Sequence, residues 1–328
     1  MSEKMSEVYE AYDMEILGAV RGRGSMILKT DRGIRQISPF DGSEERLEQE
    51  REFKENLYET GFHHIDCCVP NREGELITCD RYGNPYVMRE YFEGRECNPG
   101  SICDLNQAAA NLAIFHIRGR ELYAKEGRTY AYREPGNFRR KTQEMKKIRS
   151  FISKRPTKND FELLYIEAYD AFYRQAIDCQ AMMDACDRTN IAGHIGYCHG
   201  AYNYHSVLFC GGYLATVNFD RFHVGYQLID LYQFIRKVME KNNYNFDMAV
   251  KIIEEYDRIL PLTREDYRYI YILYSYPEKF WKVSNRYMKS RKCWISPANL
   301  EKLSKLITDE QEKQKFLSDF CNHYGFTS

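Results

Sequence analysis

The chain has 328 residues, of which 43% are hydrophobic and 29% charged, and a formal net charge of −1. That length allows one large domain or two lobes, and the near-neutral balance gives no electrostatic case for nucleic acid or a membrane surface as a partner. No apolar run approaches the roughly 18 residues of a membrane span, and the N-terminal MSEKMSEVYEAYD lacks an apolar signal core, so the chain is expected to start in the cytoplasm.

The first ninety or so residues read as strands with one helix among them. Apolar runs at 15–20 and 25–30 flank Arg21-Gly22-Arg23-Gly24, and a turn at Asp31-Arg32-Gly33 leads into a third run, 34–37. Glycine at such close corners predicts antiparallel hairpins. A helix follows, with Ser43 as N-cap, Glu44 and Glu45 in its first turn, and Gly61 as its stop. Another hairpin is expected at 76–79 and 85–92 around DRYGN. Beyond Glu93-Gly94 the pattern turns helical. Leu105, Ala108, Ala109, Leu112, Phe115 and His116 share one face of a helix. Phe138, Met145, Ile148 and Ile152 share one face of the next, which carries a basic stripe outward. Further helices are expected over 159–187, 227–242, 246–259, 264–290 and 297–323, with a short hairpin, 207–210 and 213–217, around Gly211-Gly212.

The expected fold is therefore α+β and bilobal: a small β-rich N-terminal lobe with one helix (1–93), then a large, mainly helical C-terminal lobe (94–328). That element order is the kinase-like one. The eleven cysteines are scattered without a CxxC, which argues for reduced, mostly buried thiols rather than a zinc site or disulfide framework. The 27 tyrosines, many within YRYIYILYSY (267–276), read as packing residues. His63, His64, His194, His205 and His223 form no metal-ligand spacing.

The stretch CHGAYNYHSVLFCGGYLATVNFDRF, 198–222, is similar to the catalytic core of the aminoglycoside phosphotransferase and choline-kinase-like group, H-G-D-x-x-x-x-N followed by I-D-F/W-[DE]. On that resemblance Ala201 stands where the general base belongs, Ser206 where the loop asparagine belongs and Asn218 where the metal aspartate belongs. Upstream, GIRQISPFDGSEERL puts Ser38 at the position of the third-strand lysine. Glu50 corresponds to the helix glutamate that pairs with that lysine; with serine as its partner the pair cannot form, and a solvent-reaching Glu50 is equally open. His199 and Gly200 read as loop-shaping residues, and Asp230, in QLIDLYQF, as the anchor of a helix start.

More specifically, RGRGSMILKTDRG, DGSEERL, YVMREYFEGREC, HGAYNYHSVLF, NFDRFHVGYQLIDLYQFIRKVMEKNNYNFD and YPEKFWKVSNRYMKSRKCWISPANLEKL, in that order, resemble the spore coat protein S (CotS) family of endospore-forming Firmicutes, a branch of the same superfamily. The resemblance implies a kinase-like protein made in the mother-cell cytoplasm and placed in the spore coat, with other coat proteins as partners.

Phosphoryl transfer rests on positioning and charge cancellation. Losing a general base costs about 10²–10⁴ in rate. Losing the anionic oxygens that Mg²⁺ prefers, together with a phosphate-binding cation, weighs more. The expected function is thus a catalytically inactive pseudokinase with a structural or assembly role. The alternative is a small-molecule phosphotransferase acting on a hydroxyl group, with ATP and Mg²⁺ as cofactors. It would use Lys29 in place of the missing cation and Asp220 in place of the metal ligand, since a two-residue slip preserves strand facing. A third reading is a pseudoenzyme that holds a small molecule in the cleft without changing it.

Overall fold

The computed structural model describes residues 5–22, 24–127, 137–186, 192–289 and 297–326. Arg23, in the glycine-flanked turn, lies outside them. The chain divides into two units, residues 1–127 with 196–224, and residues 128–195 with 225–328. The division does not fall at the expected 93/94 boundary. The segment holding the degenerate catalytic loop is sewn to the N-terminal part by backbone hydrogen bonds such as Thr216 N–H to His64 O (2.8 Å).

The first unit opens with a short helix absent from the sequence reading, α1 (Ser6–Glu10). Strands β1 (Ile16–Arg21), β2 (Met26–Thr30) and β3 (Gly33–Pro39) follow, then helix α2 (Glu44–Glu59). The Ser43 side chain accepts the Arg46 N–H and caps α2 as expected. Next come β4 (Cys68–Val69), β5 (Ile77–Cys79) and β6 (Pro85–Glu90). The sheet runs β1-β2-β3-β6-β4, with β5 also on β6, and every pairing is antiparallel.

Strand alternation gives this sheet two distinct faces. Leu28, Ile37 and Met88 are buried against Val8, Tyr9 and Tyr12, so α1 and the turn after it cover one face. The register pairs Gln36 with Arg89 and Ser38 with Val87, which puts these four on the opposite face. Val87 there packs with Leu47 of α2.

Strand β7 (Arg95–Glu96) leads into α3 (Ile102–Glu126), whose six expected inward residues are all fully buried. Strand β7 then pairs with β9 (Val207–Phe209), and β9 with β10 (Leu214–Thr216), a three-stranded sheet within the region expected to be almost wholly helical.

The second unit holds α4 (Phe138–Ser153), α5 (Asp160–Asp184), α6 (Leu228–Met239), α7 (Phe246–Ile259), α8 (Arg264–Ser275), α9 (Glu278–Lys289), α10 (Pro297–Thr308) and α11 (Glu310–Tyr324). Strands β8 (Ile195–Cys198) and β11 (His223–Tyr226) lie where the chain passes from one unit to the other. The single helix expected over 264–290 is two, because proline at 277 offers no N–H and pushes Tyr276 to an extended conformation (φ −63°, ψ 134°). The helix expected over 297–323 is also two: the Asp309 N–H closes α10 onto Lys305 O, and the Asp309 carbonyl receives Lys313 N–H to begin α11. Tyr269, Tyr271, Tyr274 and Tyr276 are buried, so the tyrosine-rich stretch is core. The Asp230 N–H bonds Gln227 O in the first turn of α6, and its side chain is buried.

Candidate functional site

The α2 face of the sheet carries the positions at which a kinase would hold nucleotide phosphates. Ser38 is half-buried there. One strand over, Arg89 donates from Nε and Nη2 to the two oxygens of Glu50, each at 3.2 Å. Glu50 is 5% exposed, which overturns the solvent-reaching alternative, and it does form an ion pair. The cation on Glu50 thus comes from β6, the neighbour of the third strand, and register puts it on the same face as Ser38.

A second cation completes the cluster. Lys54, one turn beyond Glu50 on α2, is fully buried. Its Nζ donates to Glu50 Oε1 at 2.6 Å and to Asp66 O at 2.8 Å. Asp66 Oδ1 lies 2.8 Å from Nζ in an ion pair outside hydrogen-bond angles. Asp66 Oδ2 accepts the backbone N–H of Asn218 at 2.9 Å. Two carboxylates and two cations thus cancel. Burial pushes the Glu50 carboxyl up, but Lys54 and Arg89 pull it below its ordinary value. Burial pulls the Lys54 ammonium down, but Asp66 and Glu50 more than restore it, and it ends above its ordinary value. The adjacent Cys67 thiol is pushed by burial to about 12 and stays protonated.

The loop at 198–206 is closed on itself. The Ala201 N–H reaches His199 Nδ1 at 3.3 Å, so the proton of this buried imidazole sits on Nε2, which donates to Val217 O at 3.1 Å. Gly200 has φ +77°, and a Cβ there would lie 2.0 Å from Arg221 O. Only glycine fits this crossing. Ser206 Oγ donates to Asn203 O (2.8 Å) and accepts Asn203 N–H (2.9 Å), and the residue is 1% exposed. Asn218 is exposed with φ +69°, the left-handed conformation asparagine tolerates better than most residues. Phe219 is fully buried against Phe53, Phe115 and His199, with ring centroids 6.0, 5.7 and 4.5 Å away. Phe222 stacks on Phe53 at 4.8 Å, and Arg46 lies over its other face while donating to its carbonyl.

The structure therefore brings Glu50, Asn218 and the His199-Gly200 loop into one bonded assembly, through Lys54, Asp66 and the buried phenylalanines. Lys29 and Asp220 stay outside it. Both are exposed, although register gives Lys29 the same sheet face as Ser38. A magnesium ion wants several hard oxygens. Ser206 is turned inward, Glu50 and Asp66 are already paired, and Asp220 is a lone exposed carboxylate, so these donors do not fit that ion. Among the described residues no three His, Cys, Asp or Glu side chains form a metal-sized group.

Sequence reasoning does not reach Lys54, Asp66 or Arg89. A signal exists for Lys54: a charged residue four positions after Glu50 on a buried stripe. Nothing local marks Asp66.

Comparison with known proteins bears on both fold and family. A family model described as "Spore coat putative kinase YutH" matches residues 5–320. Spore coat protein S of Bacillus subtilis is 30% identical over 97 residues, which is 29% of this chain and 28% of that protein. An aminoglycoside phosphotransferase from Alicyclobacillus acidocaldarius superposes with a TM-score of 0.81 at 16% identity, covering 96% of this chain and 95% of that one. Spectinomycin phosphotransferase APH(9)-Ia reaches 0.63 at 10% identity, over 92% and 95%. Amicoumacin kinase hAmiN reaches 0.57 at 12%, over 96% and 94%. At such identities the likeness is one of fold, and the fold is that of the kinase-like phosphotransferases.

Proposed function

Because the chain belongs to the YutH family of kinase-like spore coat proteins and keeps the charges of its kinase centre paired with one another, we propose that it is a catalytically inactive member with a structural or assembly role in the endospore coat. The observation that carries this reading is the closed circuit Arg89–Glu50–Lys54–Asp66–Asn218 N–H, together with a Ser206 hydroxyl bonded back into its own loop. In a working phosphotransferase the glutamate-paired cation also reaches nucleotide phosphate, and Mg²⁺ answers the metal-site carboxylate. Here the protein answers its own charges, with four functional positions replaced (Ser38, Ala201, Ser206 and Asn218).

The coat would be reached from the mother-cell cytoplasm, and the partners would be other coat proteins. The partial match to spore coat protein S supports that placement. Among the described residues no helix is long and apolar enough to cross a membrane. The phosphotransferase alternative gains little from Lys29 and Asp220, which are exposed and take no part in the bonded centre.

Calorimetry with ATP and Mg²⁺ tests the reading. Heat of metal-dependent nucleotide binding followed by turnover would refute it; neither is expected. A fluorescent fusion expressed during sporulation should form a ring around the forespore, and uniform mother-cell fluorescence would count against the coat assignment.

A further inference from the structure

A cavity of about 390 Å³ opens in the first unit beside the segment that follows α2. None of the candidate kinase positions lines it. Its walls come from residues 61–64, from α3 and from Leu214 on β10. Small-molecule pockets begin at about 300 Å³, so the space is sufficient for a ring with a substituent.

The polar groups on its wall differ from those of the kinase centre in having hydrogen-bonding capacity left. Tyr202 O–H donates to Ala108 O at 2.7 Å, so the hydroxyl oxygen must accept from Asn111 Nδ2 at 3.1 Å. This fixes which way the Asn111 amide points. Its second N–H goes to Thr216 Oγ1 at 2.8 Å. The Asn111 carbonyl oxygen is left as an oriented acceptor without a partner among the described residues. Two imidazoles stand on the same wall. His63 is held edge-on against Tyr58 (centroids 4.5 Å apart) and His64 stacks on Tyr213 (4.0 Å), and neither ring has a hydrogen-bond partner among the described residues.

Gln107, whose Nε2 donates to Cys103 Sγ at 3.3 Å, adds a further polar side chain, and the rest of the lining is Gly61 and the apolar Phe62, Ala110, Leu214 and Ile114, the last 43% exposed. Among the described residues no Lys, Arg, Asp or Glu lines the space. A charged ligand would therefore find no opposite formal charge on these walls, whereas an uncharged one needs none. The acceptor at Asn111 requires a ligand donor, the imidazoles offer a donor or an acceptor as tautomer demands, and the Phe62 ring offers a planar body a face to pack on.

We propose that this cavity is a binding site for an uncharged, planar aromatic or heteroaromatic ring bearing a carboxamide or lactam group. The ring packs on Phe62, Leu214 and Ile114. Its N–H donates to Asn111 Oδ1 and its carbonyl accepts from an imidazole N–H. The inference does not rest on whether the kinase centre is active.

Nicotinamide is the probe, and nicotinate, its anionic counterpart of the same shape, the control. Calorimetric titration of the full chain near pH 8 is expected to give one nicotinamide site with Kd below about 1 mM, and nicotinate at least about tenfold weaker. Ala110→Phe fills the cavity and should abolish binding. If that variant does not fold, the unmodified chain still decides the matter, because the ring resonances of His63 and His64 must shift saturably with nicotinamide. Absence of binding at about 10 mM, equal affinity for nicotinate, unchanged binding by a folded Ala110→Phe, or unmoved histidine resonances would each overturn the proposal.

Discussion

Two groups of polar side chains lie close together in the sequence, within the unit formed by residues 1–127 and 196–224. Around Glu50, Lys54, Asp66 and Arg89 each charge is answered by another, and Asp66 also takes the Asn218 N–H. Around His63, His64 and Asn111 the same kinds of atoms are held in place by rings and hydroxyls but keep an acceptor and two imidazoles unanswered. The first arrangement stabilises a fold; the second has capacity to recognise something. Retention of a family's charged positions is therefore a poor guide to activity unless the partners of those charges are traced.

The sharpest way to break this comparison is to remove the ammonium at the centre. Lys54→Met leaves Asp66 buried with its principal cation gone, and breaking a buried pair on one side typically costs about 3–5 kcal/mol. Urea denaturation should register a loss of that size; a loss below about 1 kcal/mol would mean the circuit is not structural. The pH dependence has a definite sign. Glu50 is held below its ordinary 4.5 in the folded chain, so its contribution is complete above that value and disappears as pH falls through the lowered folded value. Lys54 is held above its ordinary 10.5, so its contribution is complete below 10.5 and is lost as pH rises through the folded value. Stability should therefore be flat between these limits for this cluster, and Lys54→Met should flatten the acid limb, because a Glu50 no longer held down by the ammonium loses less on protonation.

Next in size is Gly200→Ala. The new methyl would meet Arg221 O at 2.0 Å with φ at +77°, so the loop or the crossing segment must move. A cost of about 3 kcal/mol is expected, read as a fall in Tm of several degrees. A neutral outcome would show that the His199-Gly200 crossing is looser than the geometry implies.

These residues also show how far the sequence can be read. The antiparallel N-terminal strands, the Ser43 cap and the buried face of α3 follow from glycine corners, capping chemistry and helical period, all of which are local. The break at Tyr276-Pro277 is equally local, but the apolar pattern continues across it and hides it. Glu50 escapes the sequence for a different reason. The family pattern points to Ser38 as its partner, whereas Arg89 reaches the same sheet face from β6 through register alone. The Asp66 contact with Asn218 spans 152 residues, and no period or motif reports such a meeting. The identities of the four replaced positions need no structure; that the charges beside them are paired with one another, and that Ser206 is buried, does.

Restoring the lost groups sharpens the comparison from the other side. Ala201→Asp with Asn218→Asp returns the base and the metal carboxylate, yet leaves Ser206 turned inward and Ser38 uncharged. The carboxylate added at position 218 would stand near Asp66, which already accepts the backbone N–H of that residue. Like charges so placed disfavour one another, so a modest loss of stability, about 1 kcal/mol, is expected, without Mg²⁺-dependent ATP turnover. Turnover by the double variant would mean that sequence alone, and not the closed circuit, silences the centre.

The smallest expected effect belongs to the two residues left outside the circuit. Lys29→Ala and Asp220→Asn remove exposed charges with no ion-pair partner among the described residues, so each should change unfolding free energy by no more than about 0.5 kcal/mol. Their value is diagnostic. If Lys29 stood in for a phosphate-binding cation and Asp220 for a metal ligand, any thermal shift produced by ATP with Mg²⁺ would vanish in either variant. If the charges of the centre are already cancelled internally, neither substitution changes the response of the chain to nucleotide. A nucleotide-dependent rise in Tm that depends on Asp220 would therefore reverse the assignment of this centre as scaffolding, whatever its cost in stability.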